Sequence, residues 1–236
     1  MNIVITGASR GIGYELVKQL SSNSQHTLFM LSRNAMQLEK LKAACLALSP
    51  SARVIPVPCD LSDEQSLKAA VALISKNVSS IDILVNNAGA LVNKPFASIL
   101  KSDLEYVYQV NVFSPIRLIQ ELLPLMNGKQ RAHIVNISSI GGVQGSVKFA
   151  GLSAYSSSKA ALVCLTECLA EELKEKNISI NCLALGAVQT EMLEEAFPGY
   201  KAPVSASEMA HFIADFCLNA HKLMNGKIIP ISLSTP

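Results

Sequence analysis

Short apolar runs rich in β-branched residues recur along this chain, with stretches of helical period between them, and few folds accept that alternation. The runs at Asn2–Thr6, Thr27–Ser32, Val54–Pro58, Ile81–Asn86, His133–Ser138, Ser179–Leu185 and Lys227–Ile231 read as strands buried on both faces. The intervening segments at Ile12–Ser22, Ala35–Leu48, Glu64–Asn77, Ser102–Met126, Ala154–Lys176 and Ser207–His221 read as helices. A strand that returns through a helix to the next strand pairs with it in parallel, and the crossover is right-handed.

The pattern therefore predicts an α/β fold: a Rossmann-like doubly wound parallel sheet of about seven strands with helices on both faces. No Pro, Gly or Ser-rich block, internal repeat or low-complexity stretch interrupts it, so residues 1–236 are expected to form one domain with its binding site built in. The two longest irregular stretches, Ile140–Ser153 and Val188–Val204, follow strands. Ligands of such sheets sit beyond the carboxyl ends of the strands, which is where both loops start.

The formal net charge is only +2 and the basic residues are scattered, which predicts no nucleic-acid partner. No apolar stretch approaches the roughly 20 residues of a membrane helix, so no membrane partner is expected. Met1 leads straight into Ile3, Val4 and Ile5 without a basic leader, so a cytoplasmic protein is expected. Cys45, Cys59, Cys164, Cys168, Cys182 and Cys217 lie in apolar segments without nearby ligand clusters and read as reduced core thiols. Although Cys164 and Cys168 are one helical turn apart, no His or Asp joins them, and no metal is expected.

Thr6–Gly13, TGASRGIG, ends the first strand and opens the first helix. Gly7 permits a tight exit from the strand, Gly11 admits a pyrophosphate to the backbone, and Gly13 lets the helix approach the sheet. Ser9, Arg10 and Ile12 complete this turn, where the helix N-terminus presents unpaired N–H groups to an anion. After the second strand, Ser32 and Arg33 stand where an acidic residue would bind a ribose 2′-hydroxyl and repel a 2′-phosphate. Arg33, with Arg10 within reach, favours NADP(H) as the cofactor.

Tyr155 and Lys159 are four residues apart at the start of the fifth helical segment and share one face. An ammonium beside a phenol favours the phenolate and brings tyrosine toward acid–base work near neutrality.

With these motifs in this order, the sequence resembles the short-chain dehydrogenase/reductase family over nearly its whole length. Asp60 and Leu61, after Cys59, resemble the family's adenine contact; Asn86, Asn87, Ala88 and Gly89 resemble its NNAG segment. Asn111 matches its helix asparagine, Asn136–Ser139 the strand that ends in a catalytic serine, and Tyr155 with Lys159 the rest of the tetrad. The resemblance implies that Ser139 hydrogen-bonds the substrate oxygen, with Ser138 the alternative. It also implies that Tyr155 exchanges the proton, that Lys159 tunes Tyr155 and holds the nicotinamide ribose, and that Asn111 supports a proton path through water. Gly186, Val188 and Thr190 would face the nicotinamide, in a segment where Leu185 replaces the family's usual proline.

The implied reaction is hydride transfer between NADP(H) and a small-molecule carbonyl or alcohol. The implied assembly is a homodimer or homotetramer pairing the two long helices. Met192, Leu193, Phe197 and Tyr200 are the expected substrate contacts. The alternative is an NADP(H)-binding regulatory or signalling protein of the same fold.

Overall fold

The computed structural model describes residues 1–128 and 131–233. Seven strands form one parallel sheet: β1 (Asn2–Thr6), β2 (Thr27–Ser32), β3 (Arg53–Pro58), β4 (Ile83–Asn86), β5 (Ala132–Ser139), β6 (Ile178–Leu185) and β7 (Ile228–Ile231). Their spatial order is β3-β2-β1-β4-β5-β6-β7, so the chain reverses direction across the sheet between β1 and β4. That reversal opens a crevice at the carboxyl ends of these two strands.

Successive residues of a strand point to opposite faces, and β1 feeds both halves of the core in this way. Ile3 and Ile5 pack with Leu16 and Val17 of α1 (Gly11–Ser21), Leu38 and Leu41 of α2 (Ala35–Leu48) and Ile213 of the carboxyl-terminal helix. Val4 packs on the other face with Leu67 and Ile74 of α3 (Glu64–Asn77) and with Leu118 and Leu122 further along the chain. The central strands are buried as expected except at three ends, Asn2, Ser32 and Ser139. The edge strands β3 and β7 are not, because each has a neighbour on one side only, and they carry Pro56, Pro58 and Pro230 where a missing N–H is tolerated.

The expected single helix over Ser102–Met126 is divided. It comprises α4 (Lys101–Tyr108), a wide π-helical turn at Gln109–Phe113, α5 (Ser114–Leu122) and a 3₁₀ turn at Leu123–Leu125. The remaining helices are α6 (Ser153–Glu172), α7 (Glu191–Ala196) and α8 (Ala206–Asn219); α7 lies inside the segment read as the irregular stretch Val188–Val204. A second correction concerns the thiols: Cys45, Cys59, Cys182 and Cys217 are buried, but Cys164 and Cys168 are exposed. The inward face of α6 is occupied by Leu162, Thr166 and Ala170, which leaves the two cysteines pointing away from the sheet. Among the described residues, no helix is long and apolar enough to cross a membrane, and no group of three His, Cys, Asp or Glu side chains is placed to hold a metal ion.

Candidate active site

A cleft of about 310 Å³ runs over the carboxyl ends of the strands, lined by the glycine turn, by the ends of β2, β5 and β6 and by α7, whose start lies against Gly11. Its nucleotide-sized end begins at the β1–α1 junction. Gly7 and Gly11 adopt the left-handed region, with φ of 68° and 55°. At Gly13 a Cβ would lie 2.3 Å from the Gly7 carbonyl oxygen, so only glycine lets α1 fold back this tightly. The cradle is empty of side-chain caps: Asn34, Asp63 and Ser205 cap α2, α3 and α8, whereas Arg10 at the start of α1 caps nothing. The first-turn N–H groups of α1 thus keep their capacity for an anion, and the turn suits a pyrophosphate.

The opposite wall of this turn is built by the NNAG segment. Asn87 Nδ2 donates to the carbonyls of Thr6 and Gly7 at 3.0 and 3.3 Å, and Thr6 Oγ1 receives the N–H groups of Asn87 and Ala88. Arg33 and Asp60 line the far end, at the tips of β2 and β3. The Ser62 hydroxyl, and more weakly the Arg33 guanidinium, hold the Asp60 carboxyl below the ordinary range. Arg10 does not point freely into the cleft, since its guanidinium pairs with Glu195 of α7 at 3.1 Å.

The central part of the cleft is where β4, β5 and α6 meet. Tyr155 and Lys159 face it from one side of α6, with the Lys159 ammonium 5.8 Å from the centre of the phenol ring. Lys159 Nζ donates to the Ile137 carbonyl at 2.8 Å. Burial pulls the lysine down to about 8, so it is still cationic at neutral pH. Burial also pushes the Tyr155 phenol above its ordinary value, and the neighbouring Ser139 hydroxyl draws it back. Without a ligand, desolvation therefore outweighs any stabilisation of the phenolate, contrary to the expected direction, and Tyr155 carries its proton at neutral pH.

The two serines at the end of β5 are distinguished by the pleat. Ser138 is buried and donates to the Lys159 carbonyl at 2.9 Å, which ties the strand to α6. Ser139 faces the cleft, and its Oγ accepts the Gly141 N–H at 3.2 Å. Asn111 sits in the π-helical turn, wholly buried. Its Oδ1 accepts from Ala90 N at 2.8 Å, and its Nδ2 donates to Ala90 O and to Ser158 Oγ, both at 2.9 Å. It lies behind the cleft and clamps the NNAG loop to α6.

Of the residues singled out from the sequence, Ser9, Arg10, Gly11, Ile12, Leu61, Asn87, Ala88, Gly89, Gly186, Val188 and Thr190 line the same cleft as Ser139, Tyr155 and Lys159. Asn111 and Gly13 do not line it. Leu185 keeps the backbone donor that proline would lack; it pairs with both Ser139 and Ile231, and the next N–H, of Gly186, bonds Ile231 O at 2.8 Å. Met192, Leu193 and Phe197 face the cleft, while Tyr200 is not among its lining residues. Leu91, Tyr106, Phe149 and Leu152 also line it, and no local spacing in the sequence marks them.

The family profile described as short chain dehydrogenase matches residues 1–201. The chain belongs to the short chain dehydrogenases. It is 30% identical to the 3-oxoacyl-[acyl-carrier-protein] reductase FabG of Aquifex aeolicus, over 97% of this chain and 94% of that one. It is 35% identical to a fatty acyl-CoA reductase of Acinetobacter baylyi over 80% of this chain, and spans 63% of that relative's length. Among solved structures, a 7α-hydroxysteroid dehydrogenase complexed with NADH superposes with a TM-score of 0.88 at 28% identity, covering 98% of this chain and 92% of that one. RhlG of Pseudomonas aeruginosa, solved with NADP, gives 0.84 at 29% identity, covering 98% and 94%. The one-sheet architecture is thus that of the short chain dehydrogenases throughout.

Proposed function

We propose that this short chain dehydrogenase is a single-domain, NADP(H)-dependent reductase of carbonyl compounds. The observation that carries the reading is the placement of Tyr155 and Lys159, one turn apart on α6 and both facing a cleft that continues to an uncapped, glycine-lined helix start. The glycine turn would hold the pyrophosphate, Arg33 and Arg10 a 2′-phosphate, Asp60 and Leu61 the adenine, and Lys159 the nicotinamide ribose. Asn87, Ala88, Gly89, Gly186, Val188 and Thr190 would complete the cofactor wall. The bound nicotinamide supplies the hydride.

The chain's own residues handle the proton. A phenol held protonated by desolvation is the form required for reduction. Tyr155 gives its proton to the carbonyl oxygen as negative charge develops there, so a free alkoxide is never left in the site. Ser139 hydrogen-bonds the same oxygen and orients it. Lys159, cationic at neutral pH, stabilises the phenolate left behind, an interaction that grows only once the proton has gone. Asn111, held by Ala90 and Ser158, fixes the π-helical turn from which a water path to Lys159 can be supported.

Paired variants test this. Tyr155→Phe removes one hydroxyl and keeps the ring, so turnover should fall roughly 10² to 10⁴-fold with NADPH affinity nearly unchanged. Lys159→Ala should weaken both turnover and binding. Turnover of Tyr155→Phe above about a tenth of the parent's would remove Tyr155 from the proton-transfer role. NADPH binding without turnover of any carbonyl compound by the parent would favour the regulatory alternative.

A further inference from the structure

We infer that the substrate end of the cleft selects uncharged, apolar carbonyl compounds and discriminates against anionic ones such as free keto acids and coenzyme A thioesters. The inference rests on the carbonyl-reductase reading above. Beyond Tyr155 the cleft passes between three segments remote in sequence. Leu91 comes from the loop after β4, Phe149 and Leu152 from the loop after β5, and Met192, Leu193 and Phe197 from α7 and its end. All six are apolar.

These walls are fastened to one another. Asn93 Nδ2 donates to the Ala196 carbonyl at 2.8 Å, and the Lys94 N–H donates to the Gly151 carbonyl at 3.0 Å. Gly151 is left-handed, with φ of 84°, and a Cβ there would lie 2.0 Å from Asn93 Oδ1. The rings of Phe149 and Phe197 meet edge-to-face at 6.0 Å and join the last two segments. A wall tied together in this way does not readily turn a polar group inward for a charged ligand.

The cations that line the cleft are committed elsewhere. Among the described residues lining the cleft, the basic ones are Arg10, Arg33 and Lys159. The two arginines belong to the nucleotide end, and Lys159 is engaged by Ile137 and lies along the side of Tyr155. Three lysines lie in the loops outside, of which Lys201, after α7, is exposed. Lys94 is paired with Asp103 at 2.7 Å, and Lys148 folds onto the Val143 carbonyl at 2.6 Å. Of the carboxylates of α7, Glu191 lines the cleft beside Gly11, whereas Glu195 pairs with Arg10 and Glu194 accepts the Gly199 N–H. A carboxylate or phosphate brought among the apolar side chains of the wall loses its hydration and meets no cation on that wall. An ester or ketone of the same shape loses far less and gains from burying its hydrocarbon.

Matched pairs of charged and uncharged substrates test the selection, and a binding comparison separates it from reactivity. With NADPH and the full-length protein, ethyl benzoylformate is compared with benzoylformate, and acetoacetyl-N-acetylcysteamine with acetoacetyl-coenzyme A. The uncharged member of each pair is expected to have at least a tenfold higher kcat/KM, expressed mainly in KM. Calorimetry on the NADP⁺-loaded protein should show ethyl mandelate binding at least tenfold more tightly than mandelate. Equal or better use of the anionic members overturns the inference, and loss of that use in Lys148→Ala would identify Lys148 as the cation that receives the anion. Ester-selective binding with no turnover of either member would instead overturn the carbonyl-reductase reading and leave the charge selection standing. Equal binding of ethyl mandelate and mandelate would count against the selection itself.

Discussion

Acidification should unfold this protein through a histidine that has no part in the cleft. His133 lies near the start of β5 and is wholly buried. Its proton can be located from its neighbours. Asn181 Oδ1 accepts the Lys227 N–H at 3.0 Å, so Asn181 Nδ2 must be the atom 3.0 Å from His133 Nε2, and Nε2 accepts. The ring proton is then on Nδ1, which donates to the Cys217 carbonyl of α8 at 2.9 Å. A second proton would sit on Nε2 and point at an N–H donor. Burial, with weaker contributions from His221 and Arg131, depresses His133 to about 4, against the ordinary 6.5. A folded value below the unfolded one means that the stabilisation is complete above pH 6.5 and is lost as pH falls toward 4. At 1.36 kcal/mol per unit, the full loss is about 3 kcal/mol, and about 2 kcal/mol of it is gone by pH 5. His221, with rings 5.4 Å apart and its value also lowered by burial, acts in the same direction. Urea unfolding of the parent and of His133→Gln at pH 7.5, 6 and 5 measures the effect. The variant starts less stable but should lose about 2 kcal/mol less over that range. Parallel stability curves would refute the argument.

Three further predictions concern the cofactor and the assembly. Arg33→Asp should reverse a preference for NADPH over NADH. Glu195→Gln, which releases Arg10 from its exposed partner, should tighten NADPH roughly two- to fivefold while leaving NADH unchanged. Fluorescence titration checks both, and equal affinities of the parent for the two cofactors would contradict them. A homo-oligomer is expected because Leu104, Tyr106 and Phe113 are left exposed on α4 and the π-helical turn. Light scattering that detects only a 25 kDa particle at micromolar concentration would count against it.

What can be read from the sequence is local, and what cannot is set by contacts between distant segments. The strands and α1 to α3 are legible because a buried parallel strand is a continuous apolar run and a surface helix repeats its apolar face. The boundaries of β1, β2, α2 and α3 coincide with those patterns. The glycine turn is legible for a similar reason: its three glycines fall within eight residues, and the left-handed φ of Gly7 and Gly11 and the approach of Gly13 to the Gly7 carbonyl are local demands. The break in the expected helix at Ser102–Met126 is not, since nothing in the period of that segment announces that Asn111 must reach Ala90 and Ser158. Spacing does not separate Ser138 from Ser139 either. Adjacent strand residues face opposite ways, and only the packing of α6 on β5 decides which hydroxyl is engaged.

The same division explains why the chemistry of this short chain dehydrogenase is easier to infer than its substrate. The proposed proton transfer needs Tyr155 and Lys159 one turn apart, a relation that any α-helix supplies. The substrate wall needs Asn93 to find Ala196 and Phe149 to find Phe197, relations that hold only after three loops have converged. Substitutions in those loops can therefore alter what enters the cleft without disturbing the pair on α6. Within the wall, Asn93 and Gly151 are the exceptions: any side chain at Gly151 collides with Asn93, and loss of the Asn93 amide leaves the Ala196 carbonyl without its donor. The shape of the wall should therefore depend more on these two polar and small residues than on any one of the apolar side chains that face the substrate.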